Sequence, residues 1–332
     1  MKQIQFSSFG PPSQVAKCVD VADVGAPSAW EVIVDIEAFP INVADLAMLA
    51  GRYGTLPQLP SSIGMEAVGR VSVCGASVKN IHVGDRVVVL ANHNWSQRRK
   101  VAAAAVHKVP ESADVKQMAM LKVNPATAYL LLTRCSAPVE GDWIIQNAPL
   151  SSVGRCVIQI AKQMRLHTIN IVRRAESIPD VLSLGGDIAI EDGPDVAERI
   201  RAIARHEPAK FAFDAVAGAA TQRLAECLSE GGQIVTYGML SGEHAVLSPE
   251  QIIFRGITLS GFWLSKTLNR MSHPERTSLF DTLAEMVTAG KLMIDIDSHF
   301  SIDAIGPAIQ RAEQNQRKGK VLVFPNHTIL EA

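Results

Sequence analysis

What this chain lacks narrows its function before any motif is read. No apolar run in its 332 residues approaches the ~18 residues of a membrane-spanning helix, so no membrane partner is expected. The formal net charge is only -1, which offers no electrostatic footing for nucleic acid or an anionic bilayer. Cysteine is sparse: Cys18, Cys74, Cys135, Cys156 and Cys227 stand far apart, none at metal-ligand spacing. They read as reduced thiols. The strand-like start Met1-Lys2-Gln3-Ile4-Gln5-Phe6 leaves no room for a signal peptide, and the two observations together point to a cytoplasmic protein. Aromatic residues make up 5% of the chain and only three are tyrosines, Tyr53, Tyr129 and Tyr237, so chemistry that needs a phenol has three candidates. There is no internal repeat and no low-complexity linker. The remainder, 47% hydrophobic and 20% charged, is globular in composition, and at ~150 residues per domain the length suits two domains.

Two regimes follow each other along the chain. Short β runs occupy residues 32–37, 67–73, 86–90 and 101–109, punctuated by Gly69, Gly75 and the turn Gly84-Asp85. From about Asn124 strands alternate with helices, with later strands at 211–216, 233–237 and 257–262 and a helix at 220–229. That alternation predicts an α/β domain with a doubly wound parallel sheet over 123–294. Gly185-Gly186 and Gly231-Gly232 fall where helices should end and are expected as C-caps. Mixed structure returns from about Asp295 and closes in a strand at 320–324.

The most telling stretch runs from Trp143 to Arg174. A buried strand (143–147) leads through the small-residue turn 148–152 into a helix with Val153, Cys156, Val157, Ile160, Ala161 and Met164 on one face. A second strand (168–172) then stops at Arg173-Arg174. Such a unit aims its turn and helix N-terminus at a phosphate, where free N–H groups and the helix dipole favour negative charge. An acidic residue after the second strand would suit the 2′-hydroxyl of NAD, whereas arginine suits the 2′-phosphate of NADP. NADPH is therefore the expected cofactor. The glycine fingerprint is incomplete: the turn reads Asn147-Ala148-Pro149-Leu150-Ser151-Ser152-Val153-Gly154. Only Gly154 stands where helix and strand pack closely, and Ser151 and Ser152 can cap the helix and offer hydroxyls. An ordinary crossover with surface arginines is the plainer alternative.

Several segments carry a family likeness: Ile41-Asn42-Val43-Ala44-Asp45, Gly51-Arg52-Tyr53-Gly54, Asn124-Pro125-Ala126-Thr127-Ala128-Tyr129, Ile145-Gln146-Asn147-Ala148, Thr236-Tyr237-Gly238-Met239, Gly261-Phe262-Trp263-Leu264-Ser265 and Gly319-Lys320. Through them the chain resembles the zinc-independent medium-chain dehydrogenase/reductases, and is most similar to the 2-enoyl thioester reductases. The resemblance implies a GroES-like β-barrel catalytic domain (1–122, completed by 295–332) and a Rossmann NADPH-binding domain (123–294), a homodimer, and a place in fatty acid metabolism. It also implies NADPH-dependent reduction of an enoyl thioester, on coenzyme A or an acyl carrier protein. The zinc branch does not fit, since its Gly-His-Glu signature reads Gly64-Met65-Glu66 here, without the imidazole ligand.

Without a metal, hydride addition β to a thioester carbonyl gives an enolate, whose oxygen needs hydrogen-bond donors and whose α-carbon needs a proton. The family's proton-donating tyrosine matches Tyr53; a loop tyrosine packing its ring is the plainer account. Cofactor contacts are expected along Leu150, Ser151, Ser152 and Val153, at Arg173 and Arg174, and at Tyr237, Gly238 and Met239 where a strand ends. By resemblance Asn124 holds the nicotinamide region, an N-cap role being compatible. Phe262, Trp263 and Leu264 meet cofactor and acyl pocket, or else pack a core or dimer interface. Lys320 is expected near the ribose phosphate, with a solvated lysine as alternative.

The run Gln97-Arg98-Arg99-Lys100 could meet an anionic carrier or simply be a solvated basic loop. The competing functions are an NADPH:quinone oxidoreductase of the same fold, which needs no carbon-directed proton donor, and a non-catalytic NADPH-binding protein.

Overall fold

The computed structural model describes residues 1–203, 208–314 and 317–326. The chain divides into two compact units, Met1–Val123 with His273–Ala332, and Asn124–Ser272.

The first unit begins with β1 (Lys2–Phe6), β2 (Lys17–Asp20), β3 (Glu31–Pro40), β4 (Ser61–Ser62), β5 (Ala67–Cys74), β6 (Arg86–Val89), β7 (Arg98–Ala102) and β8 (Val106–Lys108). The second holds β9 (Trp143–Asn147), β10 (His167–Val172), β11 (Ile188–Glu191), β12 (Phe211–Asp214), β13 (Gln233–Thr236) and β14 (Thr258–Gly261), after which β15 (Ile296–Ser301) and β16 (Lys320–Phe324) return to the first.

In the first unit β2-β1-β4 form a small antiparallel sheet, and β15-β16-β3-β5-β6-β8 a larger one with β7 paired to β3. Val32, Val34, Ile36 and Phe39 of β3 meet Val87 and Val89 of β6 and Val321 and Val323 of β16 in one core. Phe39 stacks on Trp95 with centroids 5.6 Å apart, burying two large rings where the sheet curls. Val323 of β16 pairs with Phe39, and the Ile41 amide bonds the Val321 carbonyl at 3.0 Å. This register brings Lys320 beside Asn42, 278 positions away in sequence.

The expected single strand over 101–109 is two strands. The chain turns through a 3-10 segment at Ala103–Ala105 because β7 pairs with β3 while β8 pairs with β6, and three alanines let it turn the corner. The basic run is likewise no open loop. Arg98 binds Asp35 at 2.7 Å and Asp23 at 2.5 Å, Arg99 reaches the Asn92 carbonyl at 3.0 Å and Lys100 the Ala26 carbonyl at 3.3 Å. These cations are held within the unit.

In the second unit six parallel strands run in the order β11-β10-β9-β12-β13-β14, so every strand ends on the same edge. Ile144, Ile145, Ile169, Ile171, Ala212, Phe213, Ile234 and Val235 are buried, as helices on both faces of a parallel sheet require. Helix Ser152–Gln163 buries Cys156, Val157, Ile160 and Ala161, the face expected from the spacing. Gly185, at φ 96°, follows helix Ile178–Ser183 as a C-cap should. Gly231, at φ 70°, does not: helix Ala219–Cys227 ends four residues earlier and is followed by an extended Leu228, and the glycine serves the turn into β13.

The chain rejoins the first unit at His273, where the sequence placed the return near 295. Helix His273–Thr288 buries Leu279, Phe280, Leu283 and Val287, a stripe that reads the same whichever unit it covers. Phe280 lies 5.7 Å from the ring of His107, which itself is 3.2 Å from the Asp281 carboxylate. Residues 315, 316 and 327–332 of the expected tail lie outside the described residues. No helix is long and apolar enough to cross a membrane among the described residues.

Candidate active site

The turn after β9 achieves without a glycine-rich sequence what glycines usually permit. Ala148 adopts φ 49°, a left-handed conformation that costs a non-glycine residue roughly 1–2 kcal/mol. Ser151 then caps helix Ser152–Gln163, its Oγ accepting the Gly154 amide at 3.1 Å. A Cβ on Gly154 would lie 2.6 Å from the Ala148 carbonyl oxygen and 2.7 Å from Pro149 Cα, so only glycine lets the helix close on the turn. With Gly154 capped, the amides of Ser152 and Val153 open the helix at its positive end. Leu150 turns inward and packs on the small cluster of Ile158, Val172 and Val181.

Most other predicted residues of this unit follow the carboxyl ends of its parallel strands. Arg173 and Arg174 are exposed at the end of β10, next to β9 in the sheet. Tyr237 follows β13, its amide bonded to the Asp214 carbonyl at 2.9 Å. Burial pushes the Tyr237 phenol well above its ordinary range. Its hydroxyl is buried without a hydrogen bond of normal geometry among the described residues, and Ser151 is the polar side chain facing it. Gly238 passes so close to Ala215 that a Cβ would stand 2.7 Å from that carbonyl oxygen; Met239 is exposed. After β14, Phe262 and Leu264 are half-buried and Trp263 is exposed, Leu264 opening helix Leu264–Arg270. Asn124 is the first residue of helix Asn124–Leu130, inside it rather than its N-cap.

Sequence reasoning passed over Asp214. It is fully buried and accepts from Asn147 Nδ2 at 2.7 Å, Thr221 Oγ1 at 2.7 Å, and the amides of Val216 and Ala217 at 3.0 and 2.9 Å. Asn147 Oδ1 in turn accepts the Ala215 amide at 2.7 Å. The pair ties the ends of β9 and β12 together where the strand order reverses, the usual ligand crevice of such sheets. The only sequence signal was an aspartate ending an apolar strand.

In the first unit, helix Val43–Leu49 delivers Tyr53. Asn42 opens the helix, its amide bonding Asp45 Oδ2 at 2.9 Å. At the other end Gly51, at φ 71°, and Arg52 bond back to Met48 and Ala47 at 3.0 and 2.8 Å. That cap turns the chain into the loop where Tyr53 sits half-buried between exposed Arg52 and Gly54.

The root of this helix is a buried charge cluster. Glu66 accepts from Asn42 Nδ2 at 2.9 Å and from the Val123 amide at 2.8 Å. Asp45 also takes the Met65 amide at 3.0 Å. Lys122 Nζ donates to the Met65 carbonyl at 2.5 Å and to Asn92 Oδ1 at 3.2 Å, and Lys320 Nζ donates to Asn42 Oδ1. All five side chains are buried. Burial pushes the Asp45 carboxyl up to about 7 and raises that of Glu66, and it brings the Lys122 amine down to about 8.

Lys320 therefore does not stand as the expected phosphate ligand. The residue is 2% exposed and its ammonium donates to Asn42 inside the first unit. Nor does a zinc ion fit: no three His, Cys, Asp or Glu side chains gather to hold one among the described residues. Asn42, Met65 and two lysines surround the carboxylates instead.

The comparisons agree with this anatomy. Residues 28–111 match the alcohol dehydrogenase GroES-like domain, and residues 152–284 match the family described as zinc-binding dehydrogenase. A mitochondrial enoyl-[acyl-carrier-protein] reductase of Dictyostelium discoideum is 31% identical over 97% of this chain and 94% of its own length. A putative NADPH:quinone reductase from Bacillus thuringiensis superposes with a TM-score of 0.91 at 26% identity, covering 97% of this chain and 98% of that one. The Etr1p complex with NADP and crotonyl-CoA superposes with a TM-score of 0.87 at 22% identity over 97% and 99% of the two chains. The chain belongs to the medium-chain dehydrogenase/reductases, among their enoyl reductases.

Proposed function

We propose that this protein reduces the C=C bond of a 2-enoyl thioester with NADPH. The observation that carries the reading is the β9 turn: a capped helix N-terminus closed over Gly154, with two exposed arginines ending the adjacent strand. The group fits these residues. The amides of Ser152 and Val153 suit a diphosphate, and Arg173 and Arg174 a 2′-phosphate. The names of the relative from Dictyostelium discoideum and of the Etr1p complex support an enoyl thioester over a quinone.

NADPH, when bound, would be the source of the hydride that adds to the β-carbon. The C=C electron pair moves toward the thioester carbonyl, forming an enolate on the substrate. Tyr53 then gives its phenolic proton to the α-carbon, and the tyrosinate is reprotonated from solvent. The glycine cap at Gly51 fixes where the loop leaves its helix, so the phenol starts from a defined position. Asn124, with Phe262, Trp263 and Leu264 at the carboxyl edge of the sheet, lines the nicotinamide and acyl side.

The same reading takes the chain to act as a homodimer. β14 is the outer strand of its sheet with all four residues exposed, and Ile253 and Phe254 nearby are 68% and 78% exposed, an unpaired edge and apolar patch suited to a two-fold contact. Light scattering that finds a monomer at working concentration would refute this. Five free cysteines suit the reducing cytoplasm; the name of the relative from Dictyostelium discoideum says mitochondrial, and imaging of the tagged chain decides between them.

The test is NADPH oxidation with crotonyl-coenzyme A, with an enoyl acyl carrier protein and with benzoquinone, in wild type and Tyr53→Phe. Thioester turnover that falls roughly 10²–10⁴-fold in the variant is expected for a lost proton donor. Quinone turnover alone, indifferent to Tyr53, would move the protein to the quinone reductases.

A further inference from the structure

Two carboxylates and two ammoniums buried in a small β unit need a reason. Each charge left water at a cost, and replacing buried ion pairs by apolar residues of like volume is often neutral or stabilising. Stability alone therefore does not explain Asp45, Glu66, Lys122 and Lys320. Their connections are more informative. The cluster joins segments from four distant parts of the first unit, at 42–45, 65–66, 122–123 and 320, and Lys122 also reaches the 91–92 loop. Two of these anchors are roots of predicted site elements. Asn42 opens the helix whose far end turns into Tyr53, and the Val123 amide held by Glu66 immediately precedes Asn124. Asp45 and Glu66 fall within the stretch matched to the alcohol dehydrogenase GroES-like domain, yet no group of three His, Cys, Asp or Glu side chains that could hold a metal forms among the described residues. The formal charges of the cluster, two negative and two positive, already cancel.

We infer that Asp45, Glu66, Lys122 and Lys320 form a metal-free positioning cluster, in which two resident ammoniums supply the counter-charge that a bound dication would supply and hold the Tyr53 helix and the segment entering Asn124 in their working placement. These are positioning residues; none touches the reacting atoms. The inference rests on Tyr53 as proton donor.

The experiment compares full-length wild type, Glu66→Gln, Lys122→Met and the double variant by melting temperature, NADPH affinity from nicotinamide fluorescence, and kcat and KM for crotonyl-coenzyme A. Each single variant leaves one buried charge unbalanced and should lower both melting temperature and kcat, the latter at least roughly tenfold as for a misplaced catalytic group. NADPH affinity should fall by less than kcat does, because the phosphate-binding turn lies far along the chain from the cluster and only Asn124 links the two. The double variant is neutral again and should regain melting temperature while kcat stays low. Recovery of both would reduce the cluster to charge balance and overturn the inference, as would single variants with undiminished kcat.

If wild type does not turn over the thioester, the functional reading falls separately, and the positioning claim is read from Tyr53 itself. With ζ-13C-tyrosine the chain gives three signals, from its three tyrosines, and Tyr53→Phe assigns one. That signal should shift in Glu66→Gln and Lys122→Met and not in Arg173→Ala; an unmoved signal in both cluster variants refutes the claim. Where Lys122→Met does not fold, Glu66→Gln, which keeps the side-chain shape, carries the comparison.

Discussion

Two pairs of cations in this protein carry the same charge under opposite conditions. Arg173 and Arg174 stand in water at the end of β10. Lys122 and Lys320 are buried in the first unit, donating to the Met65 carbonyl and to the Asn42 side-chain oxygen. An exposed arginine keeps its five donors available and offers a planar fork that fits phosphate, whereas a buried ammonium must satisfy its donors within the protein. The exposed pair is therefore suited to an incoming anion and the buried pair to holding the chain itself. The sequence put Arg173, Arg174 and Lys320 in one class; burial separates them.

The largest effect expected from that contrast is on stability. Lys122→Met should destabilise the fold by about 3–5 kcal/mol, the usual cost of leaving one partner of a buried pair uncompensated. Denaturant unfolding of Arg173→Ala/Arg174→Ala should show a change of at most ~0.5 kcal/mol, as for other exposed sites. If the two variants are equally stable, the contrast fails.

Next comes binding. The double arginine variant should lose roughly 1.5–3 kcal/mol of NADPH affinity, the worth of charge-assisted hydrogen bonds, and little of NADH affinity, because only NADPH carries the 2′-phosphate. Fluorescence titrations with both cofactors decide it; equal losses would mean these side chains do not read that group.

The cluster should also leave a signature in pH. Asp45, held at about 7 in the fold against an ordinary 3.8, binds its proton more tightly folded than unfolded. Its contribution is complete below the ordinary carboxylate range and is lost as pH rises through about 7. Lys122, brought down to about 8 from an ordinary 10.5, binds its proton less tightly folded, so stability recovers as pH rises through that interval. Neither slope exceeds about 1.4 kcal/mol per pH unit for one proton. Unfolding curves across pH should show the first slope flattened in Asp45→Asn; an unchanged slope would mean that another group titrates there.

The smallest effect lies at the nucleotide turn. Ser151→Ala removes the helix cap and should cost about 1 kcal/mol, with NADPH affinity falling alongside as the turn loosens. Loss of the cap without any change in affinity would detach the turn from the cofactor.

Much of this was legible in the chain. The period of Val153, Cys156, Val157, Ile160 and Ala161 fixed the helix face, because a helix on a sheet must bury one stripe. The alternation of strand and helix fixed the parallel sheet, and the place of Arg173-Arg174 after β10 followed from strand length. The incomplete glycine fingerprint was less readable, since an alanine at φ 49° bears its strain only because the capped helix around it imposes the turn.

Local pattern, then, determined the elements, their order, the parallel-sheet character of the second unit and the tyrosine loop of the first, since these depend on residues within a turn or two of one another. What tertiary structure alone decided is where distant polar residues meet. Asp214 as a hub, the rejoining of the first unit at His273, and the capture of Lys320 by Asn42 all depend on pairings between segments remote in sequence. Whether a charge faces water or another charge is set by those pairings, and no local pattern encodes them.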